Sequence, residues 1–271
     1  MKIYIMTDME GVCGVIDHDT WVIPSGRYYD TGKRLLTYEV NAAIEGFFNA
    51  GVDEILVVDG HGAGGIDLQV LDNRVKYLRM MPGLFPFMLD ETYDGIAHIG
   101  QHAKAGSEFA HMAHTGWFNV LDERVNGVSI GEFGQMTLCA ADLNIPAFFA
   151  SGDHAFKLES EALVPGIECV EVKWGTTPGS GDECSLEAYK ERNLSAIHMH
   201  PDAAFQNIKL GAYQAAVRLR ENPSSFSLPA IKAPYEIVFQ YRASAAGPAY
   251  ATRTTGNTMA EALNNPGEIV E

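Results

Sequence analysis

The sequence predicts an α/β protein, a mostly parallel sheet with helices on both faces, followed by a small C-terminal α+β appendage. Three observations carry this. Short apolar runs alternate with helical patterns along most of the chain, the order that right-handed crossovers turn into a parallel sheet. The runs KIYIM and EILVVDG are apolar almost throughout, which suits strands covered on both faces. A Ser- and Pro-rich stretch, 224–234, precedes YEIVFQYR and TGNTMAEALNN, a β-then-α tail. The organisation expected is a body over residues 1–223 and a small segment over 235–271, packed on or beside it.

KIYIM opens the first strand. A helix is predicted from about Asp30 to Ala50, with Leu36, Val40, Ala43, Ile44 and Phe47 on one stripe and Gly51 just past its end. EILVVDG, VKYLRM, GIAHIG, NIPAFFASGD and IECVEVKW read as further strands, and EFGQMTLCAADLN and HAFKLESEALV as helices between them. FNVLDERVNGVSI contains Val-Asn-Gly-Val, a hairpin-turn signal. An amphipathic helix is expected from about Pro201 to Arg220.

Composition excludes several function classes. Among 271 residues, 35 acidic against 19 basic give a formal charge of -16, so the surface repels phosphate backbones and anionic lipid. Nucleic acid is not an expected partner. No apolar run approaches the ~18 to 20 residues of a membrane span. KIYIMTD lacks the apolar region and cleavage site of a signal peptide, so a cytoplasmic protein is expected. Cys13, Cys139, Cys169 and Cys184 are scattered with no C-x-x-C pair, which predicts reduced and mostly buried thiols.

In open α/β sheets ligands collect beyond the carboxyl ends of the strands. IYIM is followed by Asp8 and Glu10, which a continuing strand would put on one face with Cα atoms roughly 6.6 Å apart. Their mutual repulsion is useful where a cation sits between them. EILVVDG leads into His61 within HGAGG; GIAHIG leads to Gln101 and His102, with His114 twelve residues later. Gly131-Glu132 opens a helix after the hairpin. Asp153 and His154 occupy another strand end and are expected near the cleft, as is Lys173, a positive charge for a substrate carbonyl or carboxylate.

Asp, Glu and His are ordinary first-row metal ligands, and a carboxylate can bridge two ions. Asp8, Glu10, His61, His102 and Glu132 supply five side chains, about the number two ions need when they share one bridge and keep positions open. Three carboxylates against two divalent ions leave one positive charge, which a hydroxide balances. GHGAGG lacks the Lys-Ser/Thr of a phosphate loop. His98, inside an apolar strand, reads as a core histidine, and His198 and His200 as structural. His111 and His114 share a helical spacing without the glutamate of zinc-protease helices.

The segments TDMEG, VDGHG, GQHAKAG, MAHT and GEFG resemble, in order and at similar spacing, the D-aminopeptidase (DppA) family of dinuclear zinc peptidases. The resemblance extends to about Lys173. It implies two Zn2+ ions per subunit, with Asp8 bridging them, Glu10 and His61 completing one site and His102 and Glu132 the other. His114 would match the catalytic histidine, as nucleophile or as acid/base. The implied reaction is metal-assisted hydrolysis of the N-terminal amide of short peptides, D-configured residues preferred. A homo-oligomer, a decamer built from dimers, is implied as well. Ala113 stands where the family usually has serine, and the segment 174–200 departs from its pattern, a place where substrate preference can change. Two rivals use similar ligands: a metal-dependent phosphoesterase, which usually needs Arg or Lys near its metals, and a non-catalytic metal-dependent binding protein. The ligand-bearing segments contain only Lys104.

Overall fold

The structure, a computed structural model, describes residues 1–80 and 83–270. In chain order its elements are β1 (Lys2–Thr7), α1 (His18–Trp21), α2 (Tyr29–Asn49), β2 (Glu54–Asp59), β3 (Lys76–Arg79), β4 (Gly95–Gln101), β5 (Val120–Val125), β6 (Val128–Ile130) and α3 (Glu132–Asp142). Next come β7 (Ala147–Asp153), α4 (His154–Leu163), β8 (Glu168–Gly175), α5 (Leu186–Arg192), β9 (Ala196–His198) and α6 (Pro201–Glu221). The tail holds β10 (Tyr235–Tyr241), β11 (Tyr250–Gly256), α7 (Met259–Asn264) and β12 (Glu268–Val270).

Seven strands form the main sheet in the order β3-β2-β1-β4-β7-β8-β9, all parallel except the edge strand β9. The central strands are buried on both faces, as apolar runs without alternation require. On one face α2 and α6 pack over Ile3, Ile5, Val57, Ile99 and Phe149. On the other, α3 and α4 cover Tyr4, Met6, Val58 and Ile96 with Phe133, Met136 and Phe156. The helices on both faces are therefore those the sequence patterns predicted, within one or two residues of the expected ends.

The tail does not stand alone. β10 pairs antiparallel with β5, so a second sheet, β12-β11-β10-β5-β6, joins three strands of the tail to the hairpin of the body. Asn126 and Gly127 turn that hairpin with φ of 49° and 83°, both left-handed, as a two-residue turn between twisted strands demands. α3 is shared: Leu138 and Cys139 face the second sheet and α7, while Phe133 and Met136 face the first. One differing detail bears on the site. β1 stops at Thr7, so Asp8 and Glu10 lie in a turn and not on a strand face. The short elements α1, α5 and β9 carry too few residues for periodicity to reveal them. Among the described residues no helix is long and apolar enough to cross a membrane.

α2 and α6 approach closely because Gly46 has no side chain. A Cβ there would lie 2.4 Å from the Lys209 carbonyl oxygen and 2.9 Å from the Ala212 Cβ. Gly46→Leu should therefore force the helices apart and destabilise the protein by about 1 to 3 kcal/mol. An unchanged thermal midpoint in this variant would show that the contact is looser than the structure has it.

Candidate metal centre

β2, β1 and β4 are adjacent and parallel, with Thr7 opposite both Asp59 and Ile99. The segments leaving these three strands emerge at one place, and they carry Asp8, His61 and His102. The turn after β1 is tied to β4: Asp8 N–H donates to Ile99 O at 2.9 Å and Gly11 N–H to Gly100 O at 2.8 Å. A Cβ on Gly11 would come within 2.0 Å of the Gln101 carbonyl oxygen, so the last residue of TDMEG must be glycine for the backbones to meet. Glu132 enters from the first turn of α3, and His114 from the loop before β5.

Three histidines are oriented alike. His61 Nε2 donates to Val22 O at 2.9 Å, His102 Nδ1 to Ala103 O at 2.9 Å, and His114 Nδ1 to Met112 O at 2.8 Å. A carbonyl only accepts, so each ring spends its proton on the backbone and turns its other nitrogen inward. There each meets carboxylates. His61 Nδ1 lies 3.2 Å from Asp8 Oδ1 and 3.3 Å from Glu10 Oε2. His102 Nε2 lies 3.2 Å from Asp8 Oδ2 and 3.6 Å from Glu132 Oε1. His114 Nε2 stands 4.0 Å from both Glu10 Oε1 and Glu132 Oε1, its ring stacked on His102 with centroids 4.1 Å apart.

This donor set fits divalent cations. Two ligands about 2.1 Å from a tetrahedral ion stand about 3.4 Å apart, close to the 3.2 to 3.6 Å separations found. Glu10 Oε2 and His102 Nε2 are buried without a hydrogen-bond partner, which an ion would supply. The ligand atoms of Asp8, Glu10 and His61 all lie within 4.8 Å of one another, and so do those of His102, His114 and Glu132. The local field asks for positive charge. Burial opposes it, but the carboxylates of Glu10 and Asp8 hold the His61 imidazole well above its ordinary range, and those of Asp8 and Glu132 do so for His102. Burial is likewise outweighed at Asp8, which His102 and His61 hold well below the usual carboxylate range. His114 goes the other way: burial and then the neighbouring His102 push it down.

Further contacts hold the cage. Asp59 accepts from Gly65 N–H at 2.8 Å and from Tyr77 O–H at 2.9 Å, and Arg79 donates to the carbonyls of His61 and Gly62, fixing the His61 loop. Gln101 Nε2 donates to Asp8 Oδ2 at 3.1 Å. Lys173, fully buried, donates from Nζ to Glu10 O. It cannot offer its charge to a substrate as the sequence suggested; it anchors the turn instead. Asp153 and His154 do not line the cleft either. Asp153 caps α4 and accepts from His111 N–H at 3.0 Å, and His154 pairs with Glu171.

His98, His198 and His200 are structural: His98 is wholly buried, Gly14 N–H donates to His198 Nδ1 at 3.0 Å, and His200 caps α6. His111 points away, its Nε2 donating to Ile16 O at 3.0 Å, so His114 is the member of that pair at the centre. Lys104 reaches Ser129. A cleft of about 270 Å3 opens onto Asp8, Glu10, His61, His114 and Glu132, walled by His18, Val22, Ile23 and Trp117. His18, Val22 and Ile23 escaped the sequence reading because no strand precedes them directly; Asp17-His18-Asp19-Thr20-Trp21 was the one polar-aromatic signal beside them.

Comparison with known proteins gives the family and the fold. Residues 1–261 match the family model described as D-aminopeptidase. A D-aminopeptidase of Bacillus subtilis (strain 168) is 32% identical over 203 residues, covering 72% of this chain and 71% of its own. The fold is similar to that of a solved structure, the Zn-dependent D-aminopeptidase DppA from Bacillus subtilis, described as a self-compartmentalizing protease. The TM-score is 0.79 at 22% identity, over 97% of this chain and 94% of that one. From the family match along nearly its whole length, the chain belongs to the D-aminopeptidase family.

Proposed function

We propose that this protein is a cytoplasmic, metal-dependent aminopeptidase that hydrolyses the N-terminal amide of short peptides, D-configured residues preferred, with two zinc ions per subunit. The observation that carries the reading is the division of Asp8: Oδ1 faces His61 and Oδ2 faces His102, each at 3.2 Å. One carboxylate thus serves two donor groups. Glu10 and His61 would complete one ion's ligands, and His102 and Glu132 the other's. Bound there, zinc supplies Lewis acidity and makes water acidic enough to give hydroxide near neutral pH.

The chain's own residues do the rest. His114 Nδ1 is fixed on Met112 O, so Nε2 faces the cleft between Glu10 and Glu132 as the proton-transfer atom. Burial and His102 keep it neutral, able to take a proton from water and pass it to the leaving amine. No Arg or Lys lines the cleft among the described residues, which favours a neutral amide over a phosphate ester. The family's D-preference and the self-compartmentalizing assembly of the solved relative support D-peptides as substrates and a homo-oligomer here. A second reading has one observation behind it: His114 groups with His102 and Glu132 within 4.8 Å, and so can serve as a ligand.

Asp8→Ala should lose most of both metals, measured as ions per chain by elemental analysis; two retained ions would contradict the bridge. His114→Ala should keep two ions and lose about 10²- to 10⁴-fold in kcat. Loss of one ion would make it a ligand instead. Purified protein should cleave D-Ala p-nitroanilide faster than the L-Ala compound, stop with chelator and recover with zinc. Turnover of p-nitrophenyl phosphate without amidase activity would replace the peptidase reading, and silence on all three with metal bound would favour a binding protein.

A further inference from the structure

Beside the cleft lies a second recess that the ligand side chains do not account for. It holds about 50 Å3, and Asp8, Gly60 and Glu132 line it and the cleft alike, so it adjoins the candidate metal centre. Its wall is mostly apolar: Met6, Met80, Phe85, Phe87 and Met136. Phe85 and Phe87 pack with ring centroids 4.5 Å apart, and Tyr4 O–H donates to Phe87 O at 3.1 Å, which fixes that side. The polar groups that reach the recess already have protein acceptors. Gln101 Nε2 donates to Asp8 Oδ2 at 3.1 Å, Gln135 Nε2 to Glu123 Oε2 at 2.8 Å, and Thr7 Oγ1 to Val58 O at 3.2 Å. An apolar group entering there strands no donor, whereas a carboxylate side chain would meet Asp8 and Glu132.

We infer that this recess receives the side chain of the peptide's N-terminal residue, and that Met80, Phe87 and Met136 are specificity-determining residues that limit it to short apolar chains. The inference rests on the aminopeptidase reading and deepens it. A peptide cleaved at this centre has its scissile carbonyl there, and the side chain of its N-terminal residue hangs from the next carbon, about 1.5 Å away. That side chain must enter a space the centre itself borders, and the cleft and the recess are two such spaces. His114, which passes the proton to the leaving amine, lines the cleft and not the recess, so the leaving half of the substrate takes the cleft. The N-terminal side chain is left with the recess. Volume then sets its size. A void of about 150 Å3 accommodates a benzene ring and ~10 to 15 Å3 one water molecule, so a recess of 50 Å3 takes about two to four heavy atoms. A propyl chain fits and a benzyl group does not.

The test measures kcat/KM of the zinc-loaded full chain on the p-nitroanilides of D-alanine, D-norvaline and D-phenylalanine, which differ only in the N-terminal side chain. D-norvaline should exceed D-alanine about tenfold, the effect of burying two further methylenes, and D-phenylalanine should fall below both. Met80→Trp, which fills the recess, should bring the norvaline-to-alanine ratio to near one. Met136→Ala, which enlarges it, should raise the phenylalanine-to-norvaline ratio about tenfold. Ratios within one preparation cancel differences in folded or metal-loaded fraction, and zinc content checks the centre. Ratios unmoved in both variants, or no norvaline advantage in the unaltered protein, overturn the assignment. So does a shift confined to the leaving residue, read with D-alanyl-glycine amide against D-alanyl-norvaline amide. Absence of turnover on every anilide would instead sink the aminopeptidase reading itself.

Discussion

The structure turns on one electrostatic constraint: hydrogen-bond acceptors facing acceptors at the ends of three adjacent strands. The inward nitrogens of His61 and His102 look at carboxylate oxygens 3.2 to 3.6 Å away, with their own protons already given to backbone carbonyls. Buried acceptors placed so closely repel unless something positive lies between them. A proton relieves one contact at a time. A divalent ion relieves several at once, and the spacing also fits ligands sharing one ion.

Holding such a cluster requires the rest of the fold to resist its repulsion. The parallel sheet does the coarse work by ending β1, β2 and β4 at one level. The fine work falls to loop contacts. Gly11 lets the Asp8–Glu10 turn lie against β4, Lys173 ties down the Glu10 carbonyl, and Asp59 with Arg79 braces the His61 loop. Lys173 and Glu39 are themselves buried; desolvation pushes the Lys173 ammonium down and the Glu39 carboxyl up, each to about 8. Removing one member of a buried charged set commonly costs about 3 to 5 kcal/mol, the scale at which the turn would come loose.

The strands and long helices were legible because their signals are local: apolar runs for β1, β2, β4 and β7, and a stripe ending at Gly51, whose φ of 84° is left-handed, for α2. The ligand-type residues were legible because the rule that sites lie beyond strand ends converts topology into a search of a few positions. Their geometry was not. Asp8 and Glu10 converge through a turn and not through strand alternation, and the partners that orient each histidine are carbonyls of Val22, Ala103 and Met112, groups every residue carries. Lys173 shows the same limit: sequence placed it at a strand end, but only packing reveals that its ammonium is spent on Glu10. The joining of the tail to the body hairpin depends on β5–β10 pairing across more than a hundred residues, beyond any local pattern.

His114 differs from the other two histidines for a reason the stacking supplies. Its ring lies nearly parallel to that of His102, 4.1 Å away and 14° apart in plane. Two imidazoles in that contact cannot both carry positive charge in a buried site. His102 faces two carboxylates at 3.2 and 3.6 Å, whereas His114 has its nearest two at 4.0 Å, so the charge goes to the His102 side and His114 stays neutral. A bound cation on His102 has the same effect as a proton there. Under the proposed function the pair would separate two tasks that similar side chains otherwise share: one imidazole would be committed to the positive centre, and the other would keep a free lone pair at the cleft surface for proton transfer.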